Sequence, residues 1–200
     1  IFIYVGVEVG IPNFANLFMT SPEINIDPTI AGSVVGSYWF LMMIGRLCGA
    51  SIGAKVSSRA MLTVVSTVGI VLVLGAIFCA DNILVNMPVF KSDISFGFAQ
   101  VPVNVMLLIL CGLCTSVMWG GIFNLAVEGL GKYTAAASGL FMVMVCGGGI
   151  LPLIQGGVAD FAGFLNSYWV IALGLAYILF YAAIGSKNVN TDIPTDDYEA

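Results

Sequence analysis

The 200-residue chain has no histidine and only six lysines and arginines. Charged residues make up 8% of it, against about 25% in a soluble domain. Without an imidazole, a catalytic pair would have to come from Glu8 and peripheral acids, and no cluster of metal ligands is visible. An enzyme, a cofactor and a resident metal are therefore not expected. Five cysteines occur, and Cys111-Gly-Leu-Cys114 has the spacing of a metal or redox pair. No second pair accompanies it, so small buried packing residues are the better reading. The run Gly147-Gly148-Gly149 lacks a following Lys-Ser/Thr and is not a phosphate loop. No basic start with a cleavage site is visible, so the first apolar run is not expected to be a signal peptide. Nor is there an initiator Met. Residue 1 already lies in an apolar run, so the N-terminus reads as truncated. No nucleic-acid partner is expected.

What is present is apolar. Hydrophobic residues make up 60% of the chain and the mean hydropathy is +1.05, as in a membrane protein. A span needs about 20 mostly apolar residues. Six stretches qualify, at about 1–19, 29–54, 60–80, 101–126, 135–157 and 167–185. The fold class expected is an all-α six-helix transmembrane bundle in the lipid bilayer. The 81–100 connection is apolar but punctuated by Asn82, Asn86, Pro88, Lys91 and Asp93, and is too broken for a seventh span. Residues 186–200 hold four acids and read as a disordered tail. Arg46, Lys55, Arg59, Lys132 and Lys187 fall on one side of the alternation and Lys91 on the other. That asymmetry places the 55–59 loop, the 127–134 loop and the C-terminus in the cytoplasm.

Span one is apolar enough to cross a bilayer, yet carries Glu8, Pro12, Asn13 and Asn16. An acid at the bilayer midplane costs about 3 kcal/mol, so it faces protein or a watery cavity. Pro12 has no N–H, so the carbonyl of Glu8, four residues earlier, loses its helical donor. Acid side chain and freed carbonyl then sit at one level. Irregular backbone at that depth needs cover. The expectation is a broken helix lining a pathway; the competing reading is a kinked packing helix with Glu8 bonded to a neighbour. Tyr4, one turn before Glu8, shares its face and can donate to it.

Spans one and four open two triplets and hold the most polar, glycine-interrupted sequence, which points to a transporter's binding site. On span four, Thr115 and Trp119 share a face, with Asn124 on the opposite one. Trp119 is too deep for an interfacial anchor; it either stacks on a ligand or packs on span one or two. In span five, Gly148 and Pro152 suggest a hinge with Gln155 as a lining residue; close helix packing is the alternative. Glu128 and Lys132, at i and i+4, suggest a latch or a solvated surface pair.

Several segments in order resemble the C-terminal half of a major facilitator transporter, in the fucose–proton symporter family and its glucose/galactose permease branch. They are Tyr4-Val-Gly-Val-Glu8-Val-Gly, Ser37-Tyr38-Trp39, Ile44-Gly45-Arg46-Leu-Cys-Gly49, Glu128-Gly-Leu-Gly131-Lys132, Ser138-Gly139 and Gly147-Gly-Gly-Ile-Leu-Pro152-Leu-Ile-Gln155-Gly. Pro12 and the long 81–100 connection depart from the pattern. The resemblance implies a twelve-span protein of the bacterial inner membrane, with an N-terminal six-helix bundle outside this sequence. It implies hexose uptake, of a sugar such as glucose, galactose or fucose, coupled to H+ or Na+ by alternating access. Glu8, Asn13, Trp119, Asn124 and Gln155, with Tyr38 as a weaker candidate, would bind the sugar: carboxylate and amides for hydroxyls, indole for the ring. Arg46 would serve a cytoplasmic gate or topology signal. The rival expectation is a sugar-sensing membrane protein or an inactive half, with the fold but no flux.

Overall fold

The computed structural model describes residues 1–53, 55–80, 82–90 and 95–187. The expected tail from residue 188 onward, and Lys91 and Asp93 of the long connection, lie outside the described residues.

Six helices are long and apolar enough to cross a membrane. The first three are α1 (Phe2–Thr20), α2 (Pro28–Gly53) and α3 (Ser58–Phe78). Their starts follow from local chemistry. Asp27 precedes Pro28, and its carboxylate accepts the Thr29 N–H at 2.8 Å. That places a capping acid and an N1 proline where a helix favours them. The same bond holds the Asp27 carboxyl below the usual carboxylate range. Ser57 caps α3 by accepting the Ala60 N–H at 3.2 Å. The hydroxyls of Thr63 and Thr67 bond back to the carbonyls of Arg59 and Thr63, each at 2.8 Å, so neither is left unsatisfied at membrane depth.

The fourth crossing is two helices, α4 (Val103–Thr115) and α5 (Met118–Val127), parted at Ser116 and Val117. The fifth is also divided, into α6 (Thr134–Val143), a 3₁₀ turn at Met144–Cys146, and α7 (Gly147–Ala162). The sixth is α8 (Phe164–Phe180), continued by a π-helical turn at Tyr181–Gly185. Gly163 alone joins α7 to α8, at a φ of +88° that only glycine takes readily.

The broken helix expected for span one needs correction, and the structure decides between the readings left open for span five. Span one is an uninterrupted α-helix with Pro12 inside it, not a broken one. The reason lies in α2. The Tyr38 hydroxyl donates to the freed Glu8 carbonyl at 3.1 Å. A side chain thus covers the gap that proline opens, and the helix has no need to unwind. One turn on, the Tyr168 hydroxyl of α8 adds a bond to the Ile11 carbonyl at 2.8 Å. In span five the irregularity falls at Met144–Cys146, about two turns before Pro152, which α7 absorbs. Gly148 is a close-packing site, where an added Cβ would come within 2.9 Å of Val5 Cγ1. Glu128 and Lys132 lie in the loop expected at 127–134. α5 ends at Val127, Gly129 has a φ of +78°, and Lys132 lies in a separate 3₁₀ turn.

The long connection is an antiparallel hairpin of β1 (Leu84–Phe90) and β2 (Phe96–Pro102). Met87, Val89, Ala99 and Val101 are its buried side chains. Its Phe90 N–H donates to Ser37 Oγ at 2.8 Å, and the Phe90 ring stacks on Phe40 at 4.8 Å, which fixes the hairpin to α2.

Close helix crossings set the level of the site. At Gly112 an added Cβ would stand 2.6 Å from the Tyr38 carbonyl oxygen, backbone against backbone. Gly112→Ala should therefore push α2 from α4 and destabilise the bundle by about 1–3 kcal/mol, the cost of overpacking. A lowered thermal midpoint of the purified protein checks this; an unchanged midpoint would show that the crossing is slack.

Candidate functional site

Glu8 sits at the middle of α1, almost wholly buried, at the end of a cavity of about 660 Å³. Its Oε1 accepts the Tyr4 hydroxyl at 2.8 Å and meets the Arg46 guanidinium at 3.3 Å. Tyr4 reaches it because residues four apart on a helix share a face. Arg46 reaches it from α2; its side chain is 56% exposed, against 11% for Glu8, so this is a pair at a cavity wall rather than a sealed one. The other Arg46 contact is the Met42 sulfur at 3.4 Å.

Thr115 stands behind this pair. The Tyr4 hydroxyl is 3.1 Å from the Thr115 carbonyl, and the Tyr38 hydroxyl is 3.0 Å from Thr115 Oγ1. Two buried tyrosines thus tie Glu8, by side chain and by backbone, to the last residue of α4. The interruption at Ser116–Val117 lies at the cavity wall, and Gly120 and Gly121 leave room beside it. Trp119 lines the space, half-buried, with its ring edge-on to Tyr4 at 6.1 Å and to Phe141 at 5.6 Å. It is packed by neighbours and open to the cavity at once. Asn124 lines the cavity too, with its Nδ2 donating to Ser58 Oγ at 3.4 Å. The face argument put Asn124 opposite Thr115. The break between α4 and α5 and the two glycines let the cavity wrap around α5 instead.

Of the candidates from sequence, Glu8, Trp119 and Asn124 come together, and Arg46 joins them as a cavity residue. Tyr38 is fully buried and acts behind Glu8. Asn13 is exposed, beyond the cavity lining. Gln155 is fully buried among α1, α7 and α8, where its Nε2 donates to Ser167 Oγ at 3.4 Å and its Oε1 packs against Gly10. It lines no part of this cavity. Gly148 and Pro152 lie in α7, which forms no part of the lining either. Sequence reasoning passed over Thr115 as a partner in the network. Adjacent hydroxyls at midspan were the available signal.

A bundle of six membrane-length helices, carrying a buried acid, an arginine and an indole around one cavity, has the architecture of half a major facilitator transporter. The solved structure of the major facilitator superfamily transporter FucP, in the outward conformation, matches it with a TM-score of 0.76 at 22% identity, covering 94% of this chain and 40% of that one. No family model matches the chain. A glucose/galactose transporter of Brucella abortus biovar 1 (strain 9-941) is 30% identical over 94% of this chain and 41% of its own length. The L-fucose-proton symporter of Escherichia coli (strain K12) is 33% identical over 46% of this chain and 21% of its own length. The chain is a multi-pass membrane protein that has the fold of half a major facilitator transporter and is similar in sequence to proteins named as sugar transporters, not enzymes. It spans less than half the length of the relatives it matches.

Proposed function

We propose that this chain is the C-terminal half of a hexose transporter of the bacterial inner membrane. It takes up a sugar such as glucose, galactose or fucose together with H+ or Na+, by alternating access. The observation that carries this reading is the convergence of Glu8, Arg46, Trp119 and Asn124 on one cavity of about 660 Å³. That size falls within the range of about 300–1,000 Å³ usual for small-molecule sites. A hexose presents hydroxyls and an apolar ring face. Glu8 accepts from hydroxyls, Arg46 and Asn124 donate to them, and the indole covers the ring. The relatives named for glucose, galactose and fucose support the substrate class. The N-terminal six-helix bundle supplies the facing wall, and the lysines and arginines at 46–59, 132 and 187 favour a cytoplasmic C-terminus.

The test is uptake of labelled glucose, galactose and fucose by the full-length protein in a transport-deficient host. One sugar entering, and ceasing to enter with a proton uncoupler, supports the symporter. Entry that needs sodium changes the ion. No entry of any of them, with the protein in the membrane, removes the reading. In the same assay Trp119→Ala should lower uptake about two- to tenfold, as expected from losing roughly 0.5–1.5 kcal/mol of aromatic contact. Uptake equal to wild type would return Trp119 to a packing role.

A further inference from the structure

Tyr4 is fully buried, and its hydroxyl reaches acceptors on two helices. Glu8 Oε1 is 2.8 Å away and the Thr115 carbonyl oxygen 3.1 Å. A phenol has one proton to donate. Thr115 ends α4, and the last carbonyls of a helix have no donor in their own ladder. One proton is therefore offered to two sites of different character: an acid at the cavity wall and the open end of a helix. Tyr38 repeats the link. It donates to the Glu8 carbonyl and stands beside Thr115 Oγ1. Beyond the interruption, Trp119 in the first turn of α5 lies edge-on to the Tyr4 ring.

We infer that Tyr4 is a positioning residue that couples occupancy of Glu8 to the α4–α5 junction. The inference rests on the reading of Glu8 as a sugar ligand. With the cavity empty, Tyr4 donates chiefly to Glu8 Oε1, the nearer and charged acceptor. A sugar hydroxyl donating to Oε1 takes over that role. The Tyr4 proton then turns to the Thr115 carbonyl and pins the end of α4. The step exchanges one hydrogen-bond acceptor for another, and no covalent bond changes. Arg46 faces the same oxygen in both arrangements and keeps the acid paired. Trp119, just past the junction, is thereby set against the sugar only when Glu8 is occupied. Binding at the wall and movement of the helix pair become one event.

Tyr4→Phe keeps the ring and its edge contact and removes the proton. In the full-length protein we expect sugar Kd within about threefold of wild type while Vmax of uptake falls about tenfold. A Kd that worsens in step with Vmax would make Tyr4 part of the binding wall alone and overturn the coupling. So would an unchanged Vmax. If Tyr4→Phe does not reach the membrane, Thr115→Val cuts the parallel link through Tyr38. It should give the same split between Kd and Vmax, with Thr115→Ser restoring Vmax; no split, or no rescue, overturns the coupling. Glu8→Gln in the same binding assay separates the two ideas. Wild-type Kd there removes Glu8 as a ligand and the inference with it. Weakened Kd there, with full Vmax in Tyr4→Phe, overturns the role of Tyr4 alone.

Discussion

Replacing Glu8 by glutamine in the full-length protein should lower hexose uptake roughly 10- to 100-fold at unchanged membrane abundance. A hydrogen bond to a charged group contributes about 1.5–3 kcal/mol, and each 1.4 kcal/mol is a factor of ten. Glutamine keeps the length of the side chain and an oxygen to accept the Tyr4 hydroxyl, now 2.8 Å from Oε1. The helix contact therefore survives. What is lost is the negative charge that draws sugar hydroxyls and balances Arg46 at 3.3 Å. The guanidinium, already half open to the cavity, would be left without a counter-charge beside the sugar. Uptake by intact cells, normalised to protein in the membrane fraction, reads the effect. Wild-type uptake would remove Glu8 from the site; loss of the protein itself would show the acid to be structural.

The second large effect concerns stability and joins two residues of different helices. Pro12 strips the Glu8 carbonyl of its helical donor, and the Tyr38 hydroxyl replaces that donor at 3.1 Å. Tyr38→Phe should therefore leave a buried carbonyl unsatisfied, at a cost of about 1–3 kcal/mol. Pro12→Ala restores a backbone N–H at the right place. In that background Tyr38→Phe should cost clearly less, because the helix now serves its own carbonyl. Thermal midpoints of the four proteins in detergent form a double-mutant cycle, and the coupling should be of the order of 0.5–3 kcal/mol. Additive effects would mean that the hydroxyl serves Thr115 Oγ1, 3.0 Å away, rather than Glu8.

The coincidence of acid and proline on α1 was legible because it needs only helix arithmetic. Residues four apart share a face, so Tyr4, Glu8 and Pro12 had to line up on one side of the helix. The apolar lengths likewise announced six crossings, and Asp27-Pro28 marked a helix start. Span four announced an interruption through its hydroxyls and glycines, but its position between α4 and α5 was hidden, since no proline marks it. With it went the role of Thr115. Arg46 read as a topology signal from its distance to the 55–59 loop; its reach back to Glu8 depends on the crossing of α1 and α2, which no local pattern encodes. Gln155 shares a face with Gly148, but a wheel does not say whether that face meets a cavity or a neighbouring helix. It meets Gly10. The hairpin was obscured because exposed positions such as Leu84, Phe96 and Phe98 are as apolar as the buried ones, so the alternation of a half-buried strand is missing.

The joint between α7 and α8 is a single glycine with φ of +88°. Such an elbow has no slack. A tilt applied to α7 passes directly into α8, and α8 in turn packs on α1 and α3. Four of the six crossings are thereby geared together, and the parted α4–α5 crossing engages that frame through α1 and α3. A shift of the frame is therefore handed on to the segment that carries the indole.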